Sequence, residues 1–363
     1  MKTKKFLVIF ILFSLVVNAS NSSIDNINNV KESHVFYGLA SYYNNVSYYV
    51  VDKDKITKIK IDEELELKDS EWFAVVGRFN VYVIQGKNIV IKVNKYNQLN
   101  INEGLPLNES IIQINTTKEK LGSISPELDK IRYQHLWAPL AGLSRIIDAS
   151  LNLINKYISN NWSVTVILFT IILKILVLPV SIMTARQTRS VSQVHAQLEP
   201  RLTEIKSRYD GEEAHNKIME AHNELGVSPF YSLKPMLGSI IQVPLIIAVY
   251  NALGEMPQFS GESLFWIKDL AYPDSIMHST LTLPMFGNTL NLLPFLAVII
   301  AIYSTIFFKN SYISSNELKK QKRNLYSMAI VFFVLFYSFP AVMVLYWALI
   351  NILQFIERQY LEA

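Results

Sequence analysis

The stretch Asn161–Ala185, NWSVTVILFTIILKILVLPVSIMTA, decides the fold of this chain. It is apolar and long enough to cross a bilayer as a helix, since a helix rises about 1.5 Å per residue and the hydrocarbon core is about 30 Å thick. One full charge, Lys174, stands near its middle. Because an ammonium at that depth costs about 2.5–3.5 kcal/mol, we expect Lys174 to face a polar groove between helices.

The alternative for Lys174 is that its long side chain reaches a lipid headgroup at the membrane surface. Lys174 is about as far along the chain from Asn161 as from Arg186, so either surface is difficult to reach. The residues therefore favour the groove.

Composition places the chain among membrane proteins. Half of its 363 residues are hydrophobic, and its mean hydropathy is +0.22, which is high for a soluble protein. The absence of cysteine excludes disulfides and thiolate metal sites. The sequence contains no nucleotide-binding loop, metal-ligand cluster or catalytic constellation. We therefore predict no enzymatic activity, no cofactor, no metal and no specific nucleic-acid recognition.

Residues 1–23 form a candidate targeting segment. Lys2, Lys4 and Lys5 precede an apolar run over Phe6–Val17. This pattern is typical of a secretory signal peptide, and an uncleaved transmembrane anchor fits it nearly as well. Either interpretation places the N-terminus in the cytoplasm and the following residues outside.

Residues 24–125 are predicted to form a small β-rich extracytoplasmic domain. Between about His34 and Ile124, short runs rich in valine, isoleucine and aromatic residues alternate with Asp, Asn and Gly. Gly86-Lys87-Asn88, between two such runs, predicts a hairpin turn. The segment has no catalytic or metal-ligand cluster, which favours a structural or docking role.

Residues 126–160 are predicted to form an amphipathic helix on the outer membrane surface. Apolar residues recur there every three or four positions opposite Arg145 and Asp148. The apolar face consists of Trp137, Leu140, Leu143, Ile146 and Ile147.

The remainder, 161–363, contains five predicted spans and one polar segment. The charge-free run 324–356 would be about 50 Å long as one helix, so Pro340 is predicted to divide it at a tight turn, Ser338–Pro340. Residues 186–234 keep helical spacing on both sides of Asp210-Gly211, which predicts an antiparallel helical hairpin. The predicted spans are about 161–185, 235–254, 289–308, 325–339 and 341–356.

Lysine and arginine distribution orients these spans. The N-terminal lysines, the hairpin and the 309–323 loop are basic and are predicted to be cytoplasmic, whereas the lysine-poor loops lie outside. The C-terminus is then cytoplasmic as well.

Several short motifs carry a family resemblance over about Trp137 to Tyr360. In this order and spacing they resemble the YidC/Oxa/Albino family of membrane protein insertases. The motifs are Asn161-Trp162 before ILFTIILKILVLPV, Gln187-Thr188-Arg189-Ser190, Leu198-Glu199-Pro200, Tyr209-Asp210, Gly226-Val227-Ser228-Pro229, Gln242-Val243-Pro244, Trp266-Ile267-Lys268-Asp269-Leu270, Pro273-Asp274, Phe339-Pro340-Ala341 and Leu345-Tyr346-Trp347.

The resemblance implies a mostly α-helical membrane protein with a five-helix transmembrane insertase core and a cytoplasmic helical hairpin. It further implies a multi-pass protein of the bacterial inner membrane, with its β domain in the periplasm. The expected function is to insert and help fold nascent membrane proteins through a cytoplasm-open hydrophilic groove. The expected partners are nascent chains and membrane lipids, with the Sec translocon and the ribosome as further candidates.

The same resemblance implies the groove residues. They are Lys174, Thr170, Gln242, Tyr346 and Trp347; the family usually has arginine at the position of Lys174. Thr170 precedes Lys174 by one helical turn. Gln242 is alternatively an interhelical hydrogen-bonding residue, and Trp347 alternatively an interface anchor.

Two other functions compete with insertion. The first is a small membrane transporter or channel with Lys174 as an anion-attracting site. It predicts internal repeats or a second intramembrane charge, and the sequence indicates neither. The second is a purely structural assembly factor.

Overall fold

The computed structural model describes residues 29–362, with gaps at 54, 61–63, 69, 87–88, 94–98, 103–111, 229, 234–235, 310–312 and 314. The predicted signal peptide or anchor, 1–23, lies outside the described residues. The chain divides into two compact units, Met1–Trp137 and Ala138–Ala363, which are described separately. The first contains β-sheets, and the second is mostly helical.

The first unit contains two antiparallel sheets. The larger has five strands in the order β2-β1-β4-β5-β8, and the smaller has three in the order β3-β6-β7. The strands are β1 (Ser47–Asp52), β2 (Lys55–Lys58), β3 (Glu64–Leu67), β4 (Trp72–Val76), β5 (Asn80–Gln85), β6 (Ile89–Val93), β7 (Leu99–Asn102) and β8 (Ile112–Thr117).

The five-stranded sheet is covered on both faces. On one face, Tyr48, Phe73 and Tyr82 pack with residues of the smaller sheet, including Ile91. On the other face, the sheet packs against Leu121, Leu128 and Ile131, which belong to α1 (Leu121–Ile124) and a 3₁₀ turn. Burial on both faces explains why β4 is apolar throughout, whereas a half-exposed strand alternates.

Two details of the predicted β region are wrong. The strands flanking Gly86-Lys87-Asn88 belong to different sheets, because β5 pairs with β4 and β8 while β6 pairs with β3 and β7. The two strands therefore do not form the predicted hairpin with each other. The aromatic run before β1 begins as a 3₁₀ helix, Gly38–Asn44.

The second unit is built from seven helices among its described residues. A short antiparallel pair of strands, β9 (Ser275–Leu283) and β10 (Gly287–Asn291), interrupts them. The helices are α2 (Ala138–Ile154), α3 (Trp162–Arg208), α4 (Gly211–Glu224), α5 (Met236–Glu255), α6 (Leu292–Ile306), α7 (Ser315–Phe336) and α8 (Ala341–Glu362).

Helix α3 unites the predicted first span and the first arm of the hairpin. It begins after Asn161, whose side-chain oxygen accepts a hydrogen bond from the Val164 backbone N–H at 2.9 Å. Its 47 residues extend about 70 Å, more than twice the thickness of a hydrocarbon core. The predicted boundary at Arg186 is therefore a change of composition within one helix and not a break.

The predicted hairpin is present. Helix α3 ends at Arg208 and α4 starts at Gly211, which has φ +62°. The arms pack against each other through apolar residues of α3, α4 and the segment that follows α4. Their buried contact consists of Leu198, Ile205, Ala221 and Tyr231, flanked by Val191, Val194, Leu202, Tyr209, Ile218 and Val227.

The amphipathic segment is shorter than predicted. Its helix, α2, starts at Ala138, because Leu128 and Ile131 pack in the first unit instead. The predicted polar residue Asp148 is buried and accepts a hydrogen bond from the Asn152 side chain at 2.8 Å, whereas Ile146 is exposed. The side of α2 that packs against protein thus includes Asp148 together with Leu140 and Ile147 of the predicted apolar face.

One end of the helical unit is tied together by backbone hydrogen bonds. The first N–H groups of α8, at Ala341 and Val342, donate to the carbonyls of Tyr272 and Leu270 at 2.8 and 3.0 Å. At the start of α3, the Ser163 hydroxyl donates to the Ser263 carbonyl at 2.7 Å. These contacts satisfy helix-terminal groups that would otherwise lack partners.

The predicted turn before α8 is also present and is held by the strand pair. The Ser338 hydroxyl donates to the Met285 carbonyl at 2.9 Å, and the Asn291 amide donates to the Tyr337 carbonyl at 2.7 Å. The strand pair itself was missed from sequence. As a consequence, the third predicted span begins at Leu292 and not at Thr289.

Helix lengths differ from the predicted spans. Two described helices are long and apolar enough to cross a membrane, Trp162–Arg208 and Ala341–Tyr360, and Leu292–Ile306 is a shorter apolar helix. Helix α7 starts at Ser315, ten residues before the predicted span, so its first turns are charged. The structure therefore establishes a mostly helical unit with two span-length apolar helices among its described residues.

Gly77 tests the packing of the first unit. A Cβ at this position would lie 2.1 Å from the Val30 carbonyl oxygen. Gly77→Ala should destabilise the unit by about 1–3 kcal/mol, because one of the two backbones must move. Limited proteolysis of the full-length protein should then cleave within 29–137 faster than in the wild type.

Gly142→Ala is the matched control, since no atom lies within 4 Å of its Cβ position. It should leave the cleavage rate within 29–137 unchanged. Wild-type resistance of Gly77→Ala would contradict the described contact between Gly77 and Val30.

Asp274 tests the tied end of the second unit. Its Oδ2 accepts hydrogen bonds from the Trp266 indole N–H at 3.0 Å and the Leu293 backbone N–H at 2.6 Å. Burial raises the pKa of the Asp274 carboxyl above its ordinary value, although these hydrogen bonds oppose the shift. The pKa of Asp274 is therefore higher in the folded protein than in the unfolded chain. Proton binding to this carboxyl stabilises the folded state fully at pH values below the unfolded pKa, and the stabilisation is lost as pH rises through the folded pKa.

Asp274→Asn should therefore gain thermal stability relative to wild type as pH rises from about 3.5 to 6. Asp274→Ala should be less stable than Asp274→Asn at every pH, since Trp266 and Leu293 lose their acceptor. Melting curves of the purified protein across this pH range measure both effects. A constant difference between Asp274→Asn and wild type would contradict the raised pKa.

Candidate functional site

Five helices of the second unit, α3 and α5 to α8, line a cavity of about 580 Å³. Its wall is largely aliphatic and aromatic, with polar groups placed at intervals. The lining residues that carry polar atoms are Lys174, Gln242, Tyr250, Asn251, Ser304, Thr305, Tyr346, Trp347, Asn351, Gln354 and Arg358.

The part of the cavity nearest the tied end is aromatic. The Tyr250 ring stacks on Phe336 with 5.0 Å between centroids and meets Tyr346 edge-on at 5.8 Å. The Trp347 ring lies 5.6 Å from Phe336 and 5.7 Å from Phe332. Rings from α5, α7 and α8 thus form one cluster, and contacts of this geometry stabilise the helix ends against each other.

Lys174 enters the cavity wall from α3 and forms an ion pair with Glu357 of α8. The side chains are only 10% and 11% exposed. A buried lysine of this kind requires a counter-charge, because removing an ammonium from water without a partner is costly. The ion pair therefore connects the first and last helices around the cavity.

Four of the five predicted groove residues meet at this cavity: Lys174, Gln242, Tyr346 and Trp347. Thr170 does not line it. The Thr170 side chain is fully buried, and its hydroxyl donates to the Val166 carbonyl at 2.7 Å on its own helix. This backbone bond is common for threonine in helices and uses the only proton of the hydroxyl.

Glu357 was missed from sequence. The predicted last span ended at Ile356, and no residue of the chain was predicted to pair with Lys174. In the structure, α8 continues to Glu362 and places the Glu357 carboxylate against the Lys174 ammonium. The available signal was the first carboxylate after an uncharged run in a chain with an unpaired mid-span lysine.

A second cluster of ionisable groups lies on the hairpin side of α3. His195 Nδ1 is 3.9 Å from a Glu199 carboxylate oxygen and 3.8 Å from one of Glu317, at the start of α7. These side chains are between 30% and 43% exposed. Solvated groups at such distances do not by themselves indicate a metal, and we assign no metal site here.

Comparison with known proteins identifies the family. The sequence profile of the family described as 60Kd inner membrane protein matches residues 153–363, more than half of the chain. The chain belongs to this family. The match confirms the YidC/Oxa resemblance derived from the motifs and places the chain among inner membrane proteins of an insertase family. An insertase family is not an enzyme family, which agrees with the prediction from sequence.

Individual relatives have names that agree with this family assignment. The chain is 26% identical over 257 residues to the "Membrane protein insertase YidC" of Chlorobaculum tepidum, covering 69% of this chain and 40% of that protein. It is 30% identical over 207 residues to the protein of the same name from Herminiimonas arsenicoxydans, covering 56% and 34%. The chain thus matches less than half the length of these 60Kd inner membrane proteins.

A solved structure, "Active YidC insertase crystal structure with the first transmembrane domain resolved", is also similar. The comparison covers 90% of this chain and 85% of that chain, with 16% sequence identity and a TM-score of 0.40.

Proposed function

We propose that this chain is a membrane protein insertase that receives nascent membrane segments in the cavity around Lys174. The observation that carries the proposal is a partly polar cavity with a lysine, enclosed by apolar helices, in a chain of an insertase family. An apolar site would suffice to hold a hydrophobic segment. Amide, hydroxyl and charged groups are needed only if the polar part of a chain also enters.

We further propose that α3, α5, α6, α7 and α8 provide five spans, with the predicted topology and with boundaries shifted to those of the observed helices. Each contains a largely apolar stretch, and the connections rich in lysine and arginine lie on one side. In this arrangement the tied end of the helical unit is extracytoplasmic and the hairpin is cytoplasmic. The β-sheet unit, about 24–125, is then periplasmic and follows a signal peptide or anchor.

The cavity supports a specific mechanism. A polar tail that crosses the membrane must pass about 30 Å of hydrocarbon. A hydrated cavity open to the cytoplasm shortens that distance, and the closed end, with its aromatic cluster, leaves only a thin layer to cross. The energy comes from the hydrophobicity of the inserted segment and from the membrane potential.

Lys174 attracts acidic residues of the tail in this mechanism. In the partly buried cavity its Coulomb attraction for a carboxylate exceeds that in bulk water. Gln242, Tyr346 and Trp347 line the same cavity and offer hydrogen-bonding groups to an incoming chain. Thr170 does not contact the incoming chain in this mechanism; its hydroxyl bonds to the Val166 carbonyl within α3.

The hairpin is the proposed contact for cytoplasmic partners. Its arms are joined by a small apolar contact and by an exposed ion pair, with an Arg201–Glu224 hydrogen bond of 2.9 Å. Segments with few buried contacts open and move readily. Ribosomes, nascent chains and the Sec translocon are the candidate partners, and lipids surround the spans.

Substitutions at Lys174 test the mechanism. Lys174→Arg should preserve insertion, because the positive charge remains and can still pair with Glu357. Lys174→Ala should lower insertion of acidic-tailed single-span substrates by roughly three- to tenfold, the effect of losing about 1 kcal/mol of attraction. Lys174→Glu should be worse, since it places a second carboxylate beside Glu357.

Proteoliposomes containing the full-length protein, with insertion scored by protease protection, provide the measurement. Lys217→Ala is the control, because it removes an exposed lysine paired with Glu220 on the hairpin. Equal activity of Lys174→Glu and wild type would remove Lys174 from the mechanism. Wild-type liposomes with no more insertion than empty ones would reject the insertase function itself.

Cysteine labelling tests the proposed topology, and the chain contains no native cysteine to interfere. A cysteine at the exposed position Lys58, on β2, should react with an impermeant reagent added to spheroplasts. A cysteine added after Ala363 should react only after the membrane is permeabilised. Labelling of the C-terminal cysteine from outside would show that the proposed number of spans is wrong.

A further inference from the structure

The ion pair between Lys174 and Glu357 constrains how the cavity can select its cargo. In the proposed function, on which this inference rests, Lys174 attracts an acidic tail. The strength of that attraction depends on the net charge of the groups that the incoming carboxylate approaches. With Glu357 in contact, the pair presents a net charge near zero. An incoming carboxylate therefore gains little unless Glu357 gives up its position.

The Glu357 carboxylate is held on one side only. Its Oε2 contacts Lys174, while its Oε1 is buried and makes no hydrogen bond to any described residue. A buried carboxylate stabilised by its full set of hydrogen bonds would be difficult to displace. With one oxygen unsatisfied, the carboxylate loses only its contact with Lys174 on leaving, and it gains hydration.

The position of Glu357 on α8 provides a route for that movement. Its neighbours Gln354 and Arg358 line the cavity, whereas Gln359 and Tyr360, which follow directly, are exposed. A change of the Glu357 side-chain rotamer toward these exposed residues requires no rearrangement of the bundle. The cavity thus has an internal carboxylate next to its cation and a short path by which that carboxylate reaches solvent.

We propose that Glu357 is an internal counter-ion that determines the specificity of the cavity for acidic chains. It neutralises Lys174 while the cavity is empty, and a carboxylate of the incoming segment takes its place. In this role Glu357 is a positioning and selectivity residue. It lowers the affinity for acidic tails and excludes weak or transient anions, since each must compete with it.

The proposal differs from a structural ion pair in what it predicts for substrate preference. If the pair only connected α3 with α8, removing the Glu357 charge would lower insertion of all substrates alike. If Glu357 competes with substrate, the same change would raise the preference for acidic tails. The ratio between two tails is therefore the informative quantity, and total activity is not.

The experiment uses proteoliposomes with the full-length protein and one single-span substrate. Its short translocated tail carries either one aspartate or an asparagine at the same position. The measured quantity is the ratio of insertion, and of photo-cross-linking to the protein, for aspartate over asparagine. Glu357→Gln should raise this ratio by about three- to tenfold over wild type, the gain expected from one unopposed ion pair in a partly hydrated site.

Glu119→Gln is the matched control, because it removes an arginine-paired carboxylate in the first unit, outside the cavity and the hairpin. It should leave the ratio unchanged. The double variant Lys174→Gln with Glu357→Gln should not show the raised ratio, because the ammonium for which Glu357 competes is absent and only Arg358 remains as a lining cation.

A ratio for Glu357→Gln at or below the wild-type value would overturn the proposal and leave the pair as a structural contact. If Glu357→Gln accumulates poorly, Glu357→Asp replaces it, since the shorter side chain weakens the contact with Lys174 and keeps the charge. It should raise the ratio by a smaller factor, and no rise would equally overturn the proposal. Insertion by wild type distinguishes these failures from a failure of the insertase function.

Discussion

A lysine in the middle of an apolar helix is the constraint on which the helical unit depends. An ammonium in hydrocarbon must be paired or hydrated, and Lys174 is paired with Glu357 at a cavity of about 580 Å³. The pair brings the first and last helices of the bundle to one place. Helices α5, α6 and α7 then complete a wall that is mostly apolar but contains amides and hydroxyls. In a purely hydrophobic bundle, close packing of side chains would be expected to fill this space.

Much of this architecture was predictable because its signals are local. The charge of Lys174 predicted a polar groove, Asp210-Gly211 predicted the hairpin break, and Pro340 predicted the final turn. What sequence could not provide is pairing between distant residues. The Glu357 contact spans most of the helical unit, and the connection around Gly86 depends on two sheets that assemble from alternating segments of the chain.

The strand pair β9–β10 was missed for a related reason, because its stability depends on contacts with other parts of the chain. β9 is almost entirely exposed, so it lacks the apolar alternation by which half-buried strands are recognised. It is stabilised instead by pairing with β10 and by hydrogen bonds from the 337–338 turn to the carbonyls of Thr289 and Met285. Helix boundaries were also displaced wherever composition changed without a helix breaker, as at Arg186.

The two ends of the helical unit have opposite physical character. At one end, hydrogen bonds join the start of α8, the start of α3 and the connecting segments, and aromatic rings pack beneath them. At the other, α3 continues as one helix from the cavity residue Lys174 into the hairpin. The cavity wall and the proposed partner-binding arm are therefore parts of one element, about 40 Å apart from Lys174 to Arg201.

Pro179 lies between Lys174 and Arg201, where it removes one backbone hydrogen bond from α3. Pro200 removes a second one, so α3 has fewer backbone hydrogen bonds between Lys174 and Arg201 than an uninterrupted helix would have. A partner that moves the hairpin would then alter access to the cavity without itself contacting the ion pair. The proposed charge selection at Lys174 and the proposed partner contact at the hairpin thus concern two segments of one helix.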